Sequence, residues 1–400
     1  MAGKFLDKTY KNTISSLVDG ANERLKNPYY LYTDKQATIV TYYNANIDKT
    51  TTDQDSNQMY SYTDGDAPLR FNKILNAYIY GINRVETDLQ MEEFGLESTD
   101  IEGEAYVLPN TFTPYPQDYF TIDYLEKYRM IFKVKTVTMD TFENGANFWK
   151  IEYRLSIADA ADDRLESQVV NTYVMNIKTV GTNLNPIIEK SSYDLIEELE
   201  TVLTDMKNYY QDLFFKNRLQ TFIYEYDGRN FYDAYMIEFL KRNNILSGSD
   251  QYVYVEHAVP INRTFSIDYA NTFFHSLETK RNIVAPCAYA TMVTSKATLL
   301  YQRPEDYYEI TYREICPTAY PIETVEPDLL NMINDGVEYA SDNPLRYNNI
   351  IIRYLSDKDM PADVIDIISG MSFEPNMKMF YAIPEIIYVL ERYIKQILKK

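Results

Sequence analysis

The alternation of apolar and polar residues is clearest near residue 150, where it predicts a β-strand with one wet face. Its apolar members are Trp149, Ile151, Tyr153, Leu155 and Ile157, with polar residues between them. A β-rich run over 130–139 precedes this strand, and Asn144-Gly145 lies between the two, a pair that favours tight turns because both residues tolerate positive φ. We therefore predict a hairpin over 130–157, continued by a third run over 167–180, part of which could be helical.

After residue 190 the apolar spacing changes to every third or fourth position, which predicts a long amphipathic helix. Its apolar members are Tyr193, Ile196, Leu199, Leu203, Met206, Tyr210, Leu213 and Phe214. Further helices are predicted over 13–26, 230–241, 326–339, 344–355, 361–369 and 384–399, and strands over 252–261, 288–301 and 307–315. The predicted fold class is α+β, with a central antiparallel β-rich region and long amphipathic helices in the middle and the C-terminal third.

These elements divide the chain into six predicted segments. They are an N-terminal helix and entry segment (1–43), a loop-rich arm region (44–127), the hairpin sheet region (128–185), a helical region (186–250), a β-rich region (251–320) and a C-terminal helical region (321–400). The polar tract from Asn44 to Asp66 predicts a long loop, and such loops are usually functional, mobile or ordered by a neighbour.

Composition excludes several classes of protein. The chain of 400 residues carries 39 Lys and Arg against 59 Asp and Glu, a formal net charge of −20, which argues against nonspecific wrapping of nucleic acid. A hydrophobic content of 45% excludes a disordered acidic tail. No apolar run is long enough to span a membrane, and we expect no secretion signal. The two cysteines, Cys287 and Cys316, fit a reducing cytoplasm.

Tyrosine is the one abnormal residue type, with 39 copies beside a single tryptophan. Its apolar ring and polar hydroxyl suit surfaces that meet other proteins or stack on sugars. An AT-rich genome would raise tyrosine and asparagine together, so the excess has two open explanations.

The search for catalytic patterns finds no specific one. Only 12 glycines occur, without the spacing of a phosphate-binding loop, and the only histidines are His257 and His275. Two acidic groups could serve a sugar-cleaving or a calcium site in principle, although a solvated charged stretch is the simpler interpretation of both. They are Asp100, Glu102 and Glu104, and Asp53, Asp55, Asp64 and Asp66. We predict no enzymatic activity, no cofactor and no metal.

Three stretches carry a resemblance to a known kind of protein. They are Ile47–Thr52 with Ala67–Ile74 and Tyr80-Gly81; Asp100–Ala105 with Leu108–Thr111 and Pro114–Phe120; and Asn144–Tyr153. Over about residues 45–180 the series resembles virion structural proteins of tailed bacteriophages, of the kind found around the neck and tail.

This resemblance implies a non-enzymatic subunit of the virion, assembled in the host cytoplasm. It implies a neck or head–tail connector protein that forms a ring with copies of itself and contacts other phage head, neck or tail proteins. Genomic DNA would pass through the ring without sequence-specific binding, and no membrane would be involved. A baseplate protein is the alternative position in the particle. A carbohydrate-binding or carbohydrate-cleaving protein and an intracellular scaffold unconnected with phage are the alternatives of other classes.

The residues expected to form contacts lie in the segments that carry the resemblance. They are Asp48, Lys49, Thr50, Arg70, Asn72, Asp100, Glu102, Glu104, Pro109, Asn110, Tyr115 and Tyr119. We expect the polar loop 44–66 and the proline-rich segment 108–119 to act as arms that lie across neighbouring subunits and become ordered on assembly. The hairpin would be the rigid platform behind them.

Overall fold

The computed structural model describes most of the chain with gaps between the described segments. The described residues are 37–50, 69–82, 91–92, 95–96, 102–108, 110–124, 128–141, 147–156, 161–180, 182–216, 221–246, 268–289, 291–293 and 323–399. The chain divides into two compact units, Met1–Asp194 with Ile397–Lys400, and Leu195–Gln396. Both strands and helices are extensive, so the predicted α+β class is confirmed.

The first unit is built on one large sheet. Its elements are β1 (Ala37–Ala45), α1 (Ile47–Thr50), β2 (Phe71–Tyr80), β3 (Met91–Glu92), β4 (Gly95–Leu96), β5 (Glu102–Val107), β6 (Tyr119–Tyr124), β7 (Tyr128–Thr141), β8 (Asn147–Leu155), α2 (Ala161–Ser167), β9 (Val169–Met175) and β10 (Ile187–Glu189). Helix α3 (Lys190–Phe214) begins in this unit and continues into the second.

Six strands of this sheet close on themselves. The strand order is β1-β6-β7-β8-β5-β2-β9-β10, and β1 also pairs with β2, so the first six strands form a closed ring of antiparallel neighbours. The pairing of β5 with β2 is the shortest, with Ile79 opposite Val107 and Tyr80 opposite Tyr106. Strand β9 pairs with β2 in parallel, and β10 follows β9 at the margin.

Alternate side chains of the six strands fill the interior of the ring. Val40, Ile74, Ala105, Phe120, Val134 and Ile151 are all buried in one cluster. Small residues leave room for aromatic ones, and at Gly103 the ring of Tyr153 occupies the space that a Cβ atom would need. A second cluster lies on the outer face, where Leu165 of α2 packs with Tyr43 and Phe71. The closed sheet is therefore packed in its interior and, beside α2, on part of its outer face.

The predicted hairpin is confirmed in this unit. Strands β7 and β8 pair antiparallel from Phe132 opposite Leu155 to Thr141 opposite Asn147. The run predicted over 167–180 contributes β9 to the sheet, followed by a short 3-10 helix, Ile177–Thr179. The start of the predicted polar loop is ordered differently, because residues 44–45 end β1 and residues 47–50 form α1.

The second unit is mainly helical and also contains short strands. After α3 come β11 (Phe215–Lys216), β12 (Thr221–Phe222), β13 (Tyr224–Tyr226), β14 (Arg229–Tyr232), α4 (Ala234–Arg242), α5 (Phe273–Thr279), β15 (Cys287–Ala288), β16 (Thr291–Val293), β17 (Glu323–Thr324), α6 (Leu329–Asp335), α7 (Asn348–Leu355), α8 (Val364–Ser369) and α9 (Met377–Ile397). No described helix is long and apolar enough to cross a bilayer.

Helix α9 forms the centre of the second unit. Residues 379–390 are all buried, and the ring of Phe380 lies 4.7 Å from that of Tyr224 and 5.3 Å from that of Phe214. The helix begins at Met377, so Pro384 lies inside it and not in its first turn as predicted. The helix predicted over 230–241 also starts later, because residues 229–232 form β14 and Asp233 caps α4.

Several predictions fall outside the described residues. They concern the helix over 13–26, the loop residues 51–66, the turn at 142–146, the strands over 252–261 and 307–315, most of the strand over 288–301, Asp100, Pro109, Asp53, Asp55, Asp64, Asp66, His257 and Cys316.

Candidate functional site

The mouth segment (residues 108–118) connects β5 to β6 across one end of the closed ring. Leu108 and Pro114 are buried, and the ring of Phe112 lies 4.6 Å from the ring of Tyr42 on β1. Phe112 also packs against the interior cluster of the ring. The segment was expected to be an arm ordered only on assembly; instead it is packed on the sheet of its own chain.

The carboxylate of Asp118 fixes this arrangement. Its Oδ2 atom accepts hydrogen bonds from Tyr42 Oη at 2.9 Å, Asn44 Nδ2 at 3.0 Å and the Tyr115 amide at 2.8 Å. Its Oδ1 atom accepts from the Ala45 amide at 2.7 Å. A fully buried carboxylate therefore ties the mouth segment to the end of β1 through three donors, and the fourth donor, the Tyr115 amide, closes a turn within the segment.

The mouth segment is also fixed to β7 through its backbone. The Gln117 amide donates to the Val134 carbonyl at 2.9 Å, and the Val134 amide donates to the Asp118 carbonyl at 2.8 Å. Gln117 adopts a φ of 76°, in the left-handed region, as the chain turns into β6. The Asp118 amide closes the turn on the Tyr115 carbonyl at 3.1 Å.

Burial and hydrogen bonding act in opposite directions on Asp118. Loss of solvent raises the pKa of its carboxyl to about 7, and the donors of Tyr115, Ala45, Tyr42 and Asn44 oppose that rise. The group therefore titrates in the neutral range, where ordinary aspartates are fully ionised.

A pocket of about 420 Å³ opens between the mouth segment and the far end of the hairpin. Its lining residues are Asn110, Thr111, Phe112, Thr113, Met139, Asn147, Phe148 and Trp149. None of these side chains is charged, although the whole chain carries a net charge of −20. Met139 is 57% exposed, which is high for a large apolar side chain. Among the described residues that line this pocket, none is a carboxylic acid of the kind that a sugar-cleaving site uses in pairs.

Beside the pocket, β7 extends beyond its neighbour β6. The pairing of β6 with β7 ends where Tyr119 lies opposite Lys133. Among the described residues, no strand pairs with positions 135–141 on that side of β7. A strand edge of this kind, beside an uncharged pocket that mixes aromatic and polar side chains, is a typical site for an added strand from another chain.

Residues 15–189 match the family model described as "Putative phage head-tail joining protein". This stretch resembles phage head–tail joining proteins. The predicted resemblance to phage neck proteins is thereby confirmed. The matched segment (residues 15–189) ends at the last residue of β10, so it contains the whole closed sheet and the pocket. No curated protein and no solved structure gives a significant match.

The structure distributes the described contact residues of the matched segment over three places. Asn110 lines the pocket, and Tyr115 and Tyr119 lie on the mouth segment and at the start of β6. Thr50 is fully buried and its Oγ1 accepts from the Arg70 amide at 3.1 Å. The residues of this second place are Asp48, Lys49, Thr50, Arg70 and Asn72, which the chain brings together where α1 meets β2.

The third place is the outer face of the sheet. Glu102 is ion-paired with Lys135, and Glu104 is ion-paired with Lys150 at 2.8 Å. The Glu104 hydrogen bond raises the pKa of Lys150. These two acids therefore lie on an exposed face of β5 and hold cross-strand partners, as a solvated charged stretch would.

Sequence reasoning missed Asp118 and Met139. Asp118 stands in the quoted stretch Pro114–Phe120, yet its donors Asn44 and Ala45 are more than seventy positions away. Met139 continues the regular alternation of the hairpin, which gives no sign of its exposure. Among the described residues, no three His, Cys, Asp or Glu side chains gather as a metal site.

Proposed function

We propose that this protein is a structural subunit of the neck of a tailed phage, where it joins head to tail as part of a ring around the DNA channel. The observation that carries the proposal is the family match, because the matched stretch contains every strand of the closed sheet. The rigid closed sheet offers a fixed platform, and the neighbouring subunit or phage protein binds to one surface of it.

The contact surface in this proposal is the pocket together with the free edge of β7. Apolar and aromatic side chains are enriched at the centres of protein interfaces, and Phe112, Met139 and Trp149 meet at this pocket. The absence of charge among its lining residues favours contact between proteins that otherwise repel one another, because each copy carries a net charge of −20.

The channel surface in this proposal is the solvent face of α3. One face of the helix is buried through Ile196, Leu199, Leu203 and Met206. The opposite face exposes Glu197, Glu198, Glu200 and Asp205. Negative charge along a channel would keep DNA from adhering while it passes.

Complementation of a phage that lacks this gene tests the proposed contact surface. We expect the exposed substitution Met139→Glu to reduce infectious particles at least about tenfold, because it buries a charge in the contact, and to leave unjoined heads and tails in electron micrographs. Ile39→Glu is the matched control, since Ile39 on β1 is also 57% exposed and lies outside the pocket. Equal effects of the two variants would refute the surface, and an image of the particle with this protein away from the head–tail junction would refute the role.

A further inference from the structure

We propose that the second unit binds a calcium ion between the carboxylates of Glu326 and Glu385. Glu326 lies shortly before α6, and Glu385 lies within α9. Both residues are more than nine-tenths buried. The site is formed within one compact unit, so the inference does not depend on the proposed place of the protein in a virion.

The two buried acids lie close enough to repel each other. Burial raises the pKa of Glu385 well above its usual value, and the charge of Glu326 raises it further. Burial and then the charges of the same two acids raise the pKa of the Tyr347 hydroxyl, so this hydroxyl lies near both of them. Buried acids of this kind are stabilised by a proton or by a cation, and a divalent cation balances two carboxylates at once.

Three buried polar atoms at this place have no hydrogen-bond partner. They are Glu326 Oε1, Tyr347 Oη and Asn348 Nδ2. Tyr347 is 3% exposed and Asn348 is 1% exposed, so bulk water does not satisfy them. Asn348 belongs to the same place because it lies beside the Tyr339 hydroxyl, whose pKa is raised by burial and then by the charge of Glu326. Buried polar groups are nearly always paired, so three unpaired atoms beside two acids indicate a bound ligand.

Lys378 is the cation in contact with Glu326. Its Nζ lies 3.1 Å from Glu326 Oε1, in an ion pair that lacks the angles of a hydrogen bond. The Lys378 side chain is 47% exposed, so it reaches Glu326 from the solvent. A calcium ion can reach Glu326 from the same side and displace the ammonium group, because like charges repel.

The chemistry of the donor set fits calcium. The two carboxylates, the Tyr347 hydroxyl and the amide oxygen of Asn348 are all hard oxygen ligands. Because Asn348 Nδ2 makes no hydrogen bond, a half-turn of the amide brings its oxygen to that position without breaking one. Calcium accepts about six to eight oxygen ligands in flexible geometry, and water molecules would complete this set. Magnesium demands a strict octahedron and zinc prefers nitrogen and sulfur, so both fit less well.

The small number of acids predicts weak binding, with a dissociation constant of about 0.1–1 mM. The described residues contain no group of three His, Cys, Asp or Glu side chains at one place, and this site uses two acids with neutral oxygen ligands. Without calcium, Glu385 keeps the proton that burial favours. The alternative occupant is a water molecule, which would satisfy Tyr347 and Asn348 but would leave the repulsion between the acids unchanged.

The test is equilibrium dialysis of the full chain with radioactive calcium, in about 0.15 M KCl with excess magnesium to suppress binding at exposed acids. We expect one calcium ion per chain at this site. Glu385→Gln should weaken its binding at least about tenfold, because one of the two charged ligands is removed. Lys378→Gln should strengthen it about threefold, because the ammonium group that competes for Glu326 is removed. A gain in affinity cannot result from a misfolded variant.

The matched control is Lys358→Gln. Lys358 is 42% exposed and lies 3.9 Å from Glu338, so both lysine variants remove a partly exposed cation beside an acid and change the net charge equally. Lys358→Gln should leave the calcium affinity unchanged. Equal binding by the wild type and Glu385→Gln, which a site filled by water alone would give, would overturn the inference. Equal calcium affinities of the two lysine variants would overturn it as well.

Discussion

Burial accounts for a part of the high tyrosine content of this chain. Among the residues that the structure describes, fourteen tyrosines are buried: Tyr42, Tyr43, Tyr80, Tyr153, Tyr210, Tyr224, Tyr232, Tyr235, Tyr269, Tyr289, Tyr347, Tyr354, Tyr381 and Tyr388. They act as large core side chains whose hydroxyls can reach buried acceptors, as Tyr381 reaches Asp233 at 2.6 Å. A tyrosine-rich surface was expected, and this part of the excess lies inside the protein. Sequence alone does not separate the two cases, because tyrosine suits both environments.

Glu385 on α9 is expected to make the second unit less stable as pH rises. Burial, and then repulsion from Glu326, raise the pKa of Glu385 well above its usual value, so the folded state keeps it neutral. Above about pH 4.3 the unfolded chain loses this proton while the folded chain retains it, so the free energy of unfolding falls. Glu385→Gln cannot ionise and should exceed the wild type by a margin that grows by up to about 1.4 kcal/mol per pH unit.

Urea unfolding at several pH values measures this margin. Glu391→Gln is the control on the same helix, because Glu391 is partly exposed and pairs with Lys207 at 2.7 Å. Its effect should stay within about 1 kcal/mol at every pH. Parallel profiles for Glu385→Gln and the wild type would contradict the expected neutral, buried carboxyl.

At the scale of elements, the sequence predicted best those helices and strands whose evidence lies in residues that are close together along the chain. The hairpin of β7 and β8 was predicted because Trp149, Ile151 and Tyr153 alternate with polar residues that remain outside. The predicted start of α9 was too late because proline is common in the first turn of a helix, so Pro384 was taken for the beginning of a helix that starts at Met377. The mouth segment was taken for a free arm because its anchor, Asp118, depends on partners that are distant along the chain.

Asp233 caps the start of α4, and we expect its removal to lower the free energy of unfolding more than the removal of any other capping residue described here. Asp233 accepts from the amides of Tyr235 and Met236 through Oδ1, and from the Tyr289 amide and the Tyr381 hydroxyl through Oδ2. Asp233→Ala would remove an acceptor that four buried donors share, so we expect a loss of about 3–5 kcal/mol in urea unfolding. Asp328→Ala is the control, because Asp328 precedes α6 without a side-chain capping bond. A loss as small as that of the control would contradict the role of Asp233.

At the scale of the whole molecule, similarity and structure divide the chain differently. The matched segment ends at residue 189, whereas the first compact unit also includes residues 190–194 and 397–400. Closure of the sheet was not predictable from sequence, because it depends on β2 pairing with both β1 and β5. Hydrophobic alternation shows which residues face inward, but it does not show which strands are neighbours.

The prediction for the whole molecule concerns the acidic face of α3 and its effect on the release of DNA. Replacing Glu197, Glu198 and Asp205 by Lys should slow the release of DNA from assembled particles several-fold, because a channel wall that attracts phosphate retains the strand. Release is followed by dye fluorescence after a receptor or mechanical trigger. Asp335→Lys with Asp342→Lys is the control, since both are exposed acids of the second unit outside α3. Equal rates of DNA release in the wild type, the α3 variant and the control would contradict the proposal that α3 lines the channel.

The strand pairs of the closed ring differ in length, and this difference determines where the ring would open first. Strands β7 and β8 are joined along nearly their whole length, whereas β5 and β2 meet at two residue pairs only. A closed sheet has no terminal strand to peel away, so local breathing must start at its weakest joint. The amide protons nearest Tyr106 and Ile79 should therefore exchange with deuterium before those of the hairpin.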